Sequence, residues 1–170
     1  MPGPATSTMY DLARACLDAI VVYWPVDAEP LPDAQFVTGG LLAFDGCELL
    51  ATGVERSYSV EADPTFEVLS VLGPGFTNRA VVVMCTLLRC VPVVDTDDSG
   101  NVVIIPSPAE IEASAIITLG DGQAMFNALV AAARAGDIGG CQTMAFDSWQ
   151  REGPEGGNGG GTLRVRLGVM

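Results

Sequence analysis

The chain has 170 residues, with 21 acids, 8 bases, a net charge of −13 and no histidine. This length fits one domain with its own core, and we predict a single domain over 1–170 with residues 1–7 as a flexible leader. Such an acidic protein repels nucleic acid phosphates and acidic membranes, so neither is an expected binding partner. The lack of histidine excludes Ser–His and Cys–His catalysis.

The composition also bears on assembly. Hydrophobic residues make up 49% of the chain and charged residues only 17%. A monomer with so few charges has too little polar surface to cover itself, and spare apolar surface usually marks an interface. We therefore expect a homo-oligomer.

The first half of the chain predicts one helix followed by strands. Thr8-Met9-Tyr10-Asp11 has the form of a capping box, and apolar residues recur behind it at helical spacing as far as Tyr23. Pro25 ends this helix. Strands are predicted at 34–43, 47–60 and 79–94. The third contains VVVMCTLLRCVP, apolar on both faces, which is typical of a central strand.

The second half predicts a turn, a helix and a hairpin. After a turn at 95–101, Ser107-Pro108-Ala109-Glu110 forms a second capping box, and its helix should reach Arg134 with Gly136 as the C-cap. The Gly120-Asp121-Gly122 stretch predicts a kink or a division of that helix. The C-terminal β-hairpin is predicted to have an arm within 141–151, a Gly-rich loop at 153–161 and an alternating strand at 162–169. The fold class is therefore α+β, a mostly antiparallel or mixed sheet packed by two helices.

The cysteines are candidates for metal or redox chemistry. There are five, an odd and scattered set that favours reduced thiols in a cytosolic protein over a disulfide framework. Cys85 and Cys90 are five residues apart, so in a strand they point to opposite faces and cannot share one ion. Structural zinc also prefers closer cysteine pairs, usually with histidine. We expect no metal and no cofactor.

Two loops imitate binding motifs. The run from Asp95 to Gly100 resembles the start of an EF-hand loop, but Pro106 stands where the bidentate glutamate belongs, so a solvated turn is expected. The segment Gly156-Gly157-Asn158-Gly159-Gly160 cannot be a phosphate loop in a chain without lysine. It is predicted to be a flexible hairpin tip, or a loop that becomes ordered against a neighbouring subunit.

Arg89 is unusual within an apolar strand. Its guanidinium should lie at the exposed end of the strand or pair with an acid on a neighbouring strand, and the candidates are Glu48 and Glu55. We expect this ion pair to be structural rather than part of a ligand site.

The order of these segments resembles a group of virion proteins from tailed phages of actinobacteria, described as tail terminators or head-to-tail connector proteins. The pattern is a Cys-x-x-Leu strand with Arg and Tyr near its end, a strand that ends in Arg-Cys-Val-Pro, and an Ala-rich helix with a central acid. It covers roughly residues 9–135. The matching residues are Cys47, Leu50, Arg56, Tyr58, Arg89, Cys90, Val91, Pro92 and Asp121.

The resemblance implies a non-enzymatic ring, a hexamer in lambda-type terminators, that caps the tail tube and joins it to the neck. Its partners would be the tail tube protein and a neck or head-completion protein, in a virion assembled in the host cytoplasm. DNA would pass through the lumen without specific binding, since acidic walls repel it. Our hypothesis places Glu61, Asp63 and Glu67 at that lumen.

Other functions stay open at this point. A second neck ring, a head-completion or stopper protein, is the alternative within the same class. An acidic inhibitor that mimics DNA is an alternative from another class, although the apolar surplus argues against it. A small enzyme that uses carboxylates is a third, without a specific motif in its favour.

Overall fold

The computed structural model of the protein describes residues 9–39, 48–59, 79–97, 99–139, 141–155 and 157–169. The predicted leader, Thr8 of the first capping box and the acids Glu61, Asp63 and Glu67 lie outside these ranges. The helices are α1 (Met9–Val22) and α2 (Pro108–Ala135). The strands are β1 (Gln35–Thr38), β2 (Leu49–Ser59), β3 (Arg79–Cys90), β4 (Asp95–Thr96), β5 (Val102–Ile104), β6 (Cys141–Phe146), β7 (Gln150–Glu155) and β8 (Asn158–Val169).

Six of the strands in the described part of the chain form one mixed sheet. Their order is β1-β2-β3-β8-β6, and β7 pairs with the same edge of β8 as β6 does. β1 runs parallel to β2, and the other pairs are antiparallel. Both helices contact this sheet and each other, α1 over β2 and β3 and α2 over β8. The predicted α+β class is confirmed.

β3 is the central strand that its apolar pattern predicted. Val83, Cys85 and Leu87 belong to the core between the sheet and the helices. Val82 and Thr86, on the opposite face, are also buried. The alternation predicted in β8 is present too, with Leu163, Val165 and Leu167 in the core and two arginines between them. A strand covered on both faces needs no polar side, which is why its sequence reads as a continuous apolar run.

α2 follows the local signals at both ends. The hydroxyl of Ser107 accepts a hydrogen bond from the amide of Glu110, and the carboxylate of Glu110 accepts one from the amide of Ser107. Gly136 ends the helix in the left-handed conformation, with φ of 79°. The predicted division at Gly120 and Gly122 is wrong, because α2 is one helix of 28 residues.

The Gly-rich loop is shorter than predicted. β8 already begins at Asn158, and the buried Gly159 and Gly160 pair with β3. A Cβ on Gly160 would lie only 2.1 Å from the carbonyl oxygen of Leu87, so the two strands approach more closely than any other residue allows. The described part of the tip is the half-buried Gly157, in the left-handed conformation with φ of 84°. A subunit contact at this tip stays a prediction, and Gly156 lies outside the described residues.

By length and composition α2 could cross a membrane, but 44% of its most apolar window is buried inside the protein. A core helix of a soluble protein passes the same test, so this helix carries no membrane assignment.

Candidate interaction surface

Residues 93–97 and 99–105 contain a small hairpin that we name the apolar arm. Within the described part of the chain, β4 and β5 pair with each other alone, in a separate two-stranded sheet. Six large apolar residues of the arm are exposed, led by Ile105 at 76% and Val103 at 61%. The set is Val93, Val94, Val102, Val103, Ile104 and Ile105.

Both faces of the arm are uncovered. Val102 to Ile105 are consecutive and all exposed, while successive side chains in a strand point to opposite faces. An isolated two-stranded hairpin is marginally stable in water even with one covered face. An arm that is apolar and bare on both faces therefore has the character of a surface that another protein covers.

The tip of the arm is an acidic turn held by Asp97. One carboxylate oxygen of Asp97 accepts hydrogen bonds from the amides of Ser99 and Asn101, at 2.9 and 2.8 Å. Gly100 follows with φ of 79°. The backbone hydrogen bond from Asn101 is the main reason why the pKa of Asp97 is lowered, so this carboxylate keeps its charge at neutral pH. An exposed turn is present between Asp97 and Asn101, as predicted.

The first three turns of α2 extend the exposed apolar surface. No residue from Pro108 to Ile117 is fully buried, and the first buried position is Thr118. Ile111 is 54% exposed, and Ile116 and Leu119 are also exposed. Capping stabilises this end of the helix locally, since the first ten residues of α2 include no fully buried position.

Two cavities lie along α2 on the side of β7 and β6, and together we treat them as a groove. Its first cavity, of about 100 Å³, lies between the start of the helix and the residues Val91, Pro92 and Arg151. Its second, of about 540 Å³, lies further along α2 and is open to solvent. The helix side is formed by residues at spacings of three and four, which share one face of a helix: Ile111, Ala115, Leu119, Gly122 and Phe126. We name this cleft the α2 groove.

The far wall of the α2 groove is formed at the junction between β6 and β7. The amide of Asp147 donates a hydrogen bond to the carbonyl oxygen of Arg164 on β8, and Gln150 pairs with Thr162. Between these two points the chain that joins β6 to β7 has one residue more than β8. Such a bulge re-aims side chains. It directs Phe146 and Trp149 to the groove, where the rings of Phe126 and Phe146 lie 4.6 Å apart.

Trp149 fits a slot made by two glycines. A Cβ on Gly122 of α2 would lie 2.8 Å from the indole, and one on Gly161 of β8 would lie 2.5 Å from it. The indole Nε1 is buried and makes no hydrogen bond in the described part of the chain. Shape alone therefore holds the ring, and the two glycines set the width of the groove.

Arg89 forms a structural ion pair, but not with a predicted partner. Its guanidinium donates two hydrogen bonds to Asp121 of α2, at 2.9 and 2.8 Å, and a third to the carbonyl oxygen of Pro30 at 2.7 Å. Glu55 pairs instead with Arg164. The prediction of Glu48 or Glu55 was wrong because it considered neighbouring strands, whereas the partner comes from the helix layer above the end of β3.

This pair is buried on both sides. The side chains of Arg89 and Asp121 are 9% and 2% exposed. Burial alone would lower the pKa of Arg89, but the hydrogen bonds and charge of Asp121 raise it, with Glu48 adding a smaller attraction. The guanidinium is held by Asp121 and by the carbonyl oxygen of Pro30, so the buried pair fixes α2 on the sheet.

The cysteines do not form a metal site among the described residues. Cys16, Cys85 and Cys141 are free thiols. Contact with Cys16, followed by burial, raises the pKa of Cys85, and burial raises that of Cys141 to about 11. Cys90, however, is disulfide-bonded. The prediction of five reduced thiols was therefore wrong for Cys90, and odd cysteine counts do not exclude a single bridge.

The sequence pattern on both sides of the predicted turn at 95–101 indicates the hairpin of the arm, although we predicted only the turn. The apolar runs Val91–Val94 and Val102–Ile105 flank an acidic turn with glycine, which is the pattern of a hairpin. The groove had no comparable signal, since the residues of its two walls are far apart in sequence. The hypothetical lumen acids Glu61, Asp63 and Glu67 lie outside the described residues.

No protein-family model matches the chain, and no curated protein matches it.

Proposed function

We propose that this protein is a non-enzymatic structural subunit of a phage virion. It forms a ring at the head-to-tail junction that caps the tail tube and joins it to the neck, as a tail terminator does. The proposal combines the resemblance over the Cys47 and Arg89-Cys90-Val91-Pro92 segments with the surfaces described above. The observation that carries it is the apolar arm, which has the form of an assembly surface rather than of a substrate site.

The net charge supports the proposal that DNA passes through the ring without being bound. A net charge of −13 on each copy gives a ring an acidic interior unless bases are sorted to it. Like charge keeps a duplex from adhering to the walls, so DNA slides through without being bound. Glu61, Asp63 and Glu67 stay our candidates for that lumen.

The disulfide of Cys90 is compatible with a virion. Disulfides persist in oxidising surroundings, which include the surface of free particles, and are rare in a reducing cytoplasm. The bond would then form after assembly in the host.

The DNA-mimic alternative fits the described surface less well. A mimic presents carboxylates over a well-charged exterior, whereas this chain exposes Val103, Ile104 and Ile105 together with the start of α2. The second neck ring, a head-completion or stopper protein, requires the same kind of assembly surface and differs only in position.

A phage that carries a stop codon in this gene separates the two positions. If the protein is a terminator, capsids remain filled, while tails lack their cap and do not join to heads. If it is a head-completion ring, tails are normal and heads lose their DNA. Normal infectious particles without the protein would overturn both assignments, and so would antibody labelling that finds no copies at the head-to-tail junction.

A further inference from the structure

We propose that the apolar arm of one copy lies in the α2 groove of the next copy. This inference rests on the proposed function, because it names the two surfaces that would close the ring. Each chain presents one protruding apolar element and one apolar cleft. A contact between two different surfaces is heterologous, and repeated around an axis it generates a closed ring.

The lengths of the two surfaces match. From its base at Val93 to its tip at Ser99 the arm spans about six residues, or ~20 Å of strand. The α2 groove extends from Ile111 to Phe126, which is ~22 Å along a helix. A strand pair of this length therefore matches the stretch of helix that the two cavities border.

The arm offers most of the apolar area for such a contact. Its six exposed residues come from one copy, and Ile111 and Leu119 of α2 come from the next. At roughly 170 Å² for a fully exposed aliphatic residue, the arm alone exposes on the order of 600 Å², against ~800 Å² per partner in a standard interface. The aromatic rings of Phe126 and Phe146 supply the kind of residues that are enriched at the centres of interfaces.

The charges of the two surfaces are complementary. The arm carries Asp95 and Asp97 near its tip, and both are exposed. Arg151 lines the groove and is exposed, without an ion pair in the described part of the chain. In a protein with 21 acids and 8 bases, an unpaired arginine beside an apolar cleft favours an acidic, apolar occupant, and the arm of another copy is one.

The arm does not use the groove of its own chain. Its side chains are exposed, and Val91 and Pro92, which lead into it, form one end of that groove. No described residue of 93–105 lines either cavity, so in this proposal a second copy supplies the cleft that covers the arm.

The experiment mixes two variants, each with one damaged surface. The arm variant carries Val103→Glu and Ile105→Glu, and the groove variant carries Leu119→Glu. The control is Val26→Glu, since Val26 is fully exposed outside both surfaces. All four side chains are solvent-exposed, so circular dichroism and the melting temperature should match wild type. Native mass spectrometry then measures each protein alone and in a 1:1 mixture.

We expect rings from wild type and from the control, and monomers from the arm and groove variants alone. The mixture should contain a 1:1 heterodimer, because one intact arm and one intact groove remain, but no ring. Rings from the arm variant, or no heterodimer in the mixture, would overturn this inference while the proposed ring stands. A groove variant that still assembles while the arm variant does not would show arms packed on arms and also overturn it. A monomeric wild type would overturn the ring itself.

Discussion

Replacing Arg89 by methionine tests how the helix layer is fixed to the sheet. The change leaves the carboxylate of Asp121, only 2% exposed, without its two hydrogen bonds and its counter-charge. Breaking a buried pair from one side costs about 3–5 kcal/mol. At ~2–4 °C per kcal/mol for a chain of this size, the melting temperature should fall by roughly 6–20 °C.

Two further variants make the result interpretable. Arg164→Met removes an arginine from the neighbouring strand whose pair with Glu55 is 27% and 34% exposed, so it should cost no more than about 1 kcal/mol. The double variant Arg89→Met with Asp121→Leu removes both charges and should recover most of the lost stability, because an apolar pair has no desolvation penalty.

Urea unfolding followed by circular dichroism, at one protein concentration, measures all four proteins. The reasoning fails if Arg89→Met costs less than about 1 kcal/mol, or if the double variant is as unstable as the single one. The first result would mean that water reaches Asp121. The second would mean that Arg89 stabilises the fold through its packing or through Pro30 rather than through its charge.

Three further outcomes are expected. Gly120→Ala should stabilise the protein by up to ~1 kcal/mol, since its Cβ meets nothing within 4 Å. Gly122→Ala should destabilise it by about 1–3 kcal/mol, since its Cβ meets Trp149 at 2.8 Å. Melting temperatures that shift in the same direction for both variants would contradict the slot for Trp149. Cys141, with a pKa of about 11, should react with iodoacetamide at pH 8 about 100-fold more slowly in the folded protein than in urea, which peptide mapping checks. Its contribution to stability should be lost between pH 9 and 11, because the thiol of the unfolded chain ionises first. The pKa of Glu110 is lowered, mainly by the backbone amide of the N-cap serine, so its contribution to stability is present above the ordinary carboxyl pKa and lost as the pH falls through the lowered one. Glu110→Gln should flatten that part of the acid melting profile, and an unchanged profile would refute the assignment.

Local signals predicted the elements that depend on few neighbours. The capping box at Ser107 and Glu110 fixes the start of α2 within four residues, and Gly136 fixes its end, so both could be read directly. β3 was identifiable because coverage on both faces leaves a continuous apolar run. In each case the residues that determine the structure are adjacent in the chain.

The failures share a cause in tertiary contacts. Gly120 and Gly122 suggest a break, but packing on the sheet keeps the helix continuous, and Gly122 is required by Trp149. Gly159 and Gly160 read as a flexible loop, whereas they allow two strands to approach closely. Propensity alone cannot distinguish a glycine that frees the backbone from one that makes room for a neighbour.

The partner of Arg89 was missed for a related reason. Asp121 is 32 residues away and belongs to a different layer, so strand pairing could not reveal it. One clue was available, because Asp121 lies on the apolar stripe of α2 with Met125 and Leu129. An acid on a buried helix face requires a cation, and Arg89 was the one arginine expected within an apolar strand.

The central claim is that copies of this chain assemble through the apolar arm, and the mass of the purified wild-type protein in solution tests it most directly. Native mass spectrometry together with negative-stain images should give one closed ring with a central hole, whose mass is an integral multiple of 17.6 kDa. A stable monomer at micromolar concentration, with the arm exposed to solvent, would contradict the account.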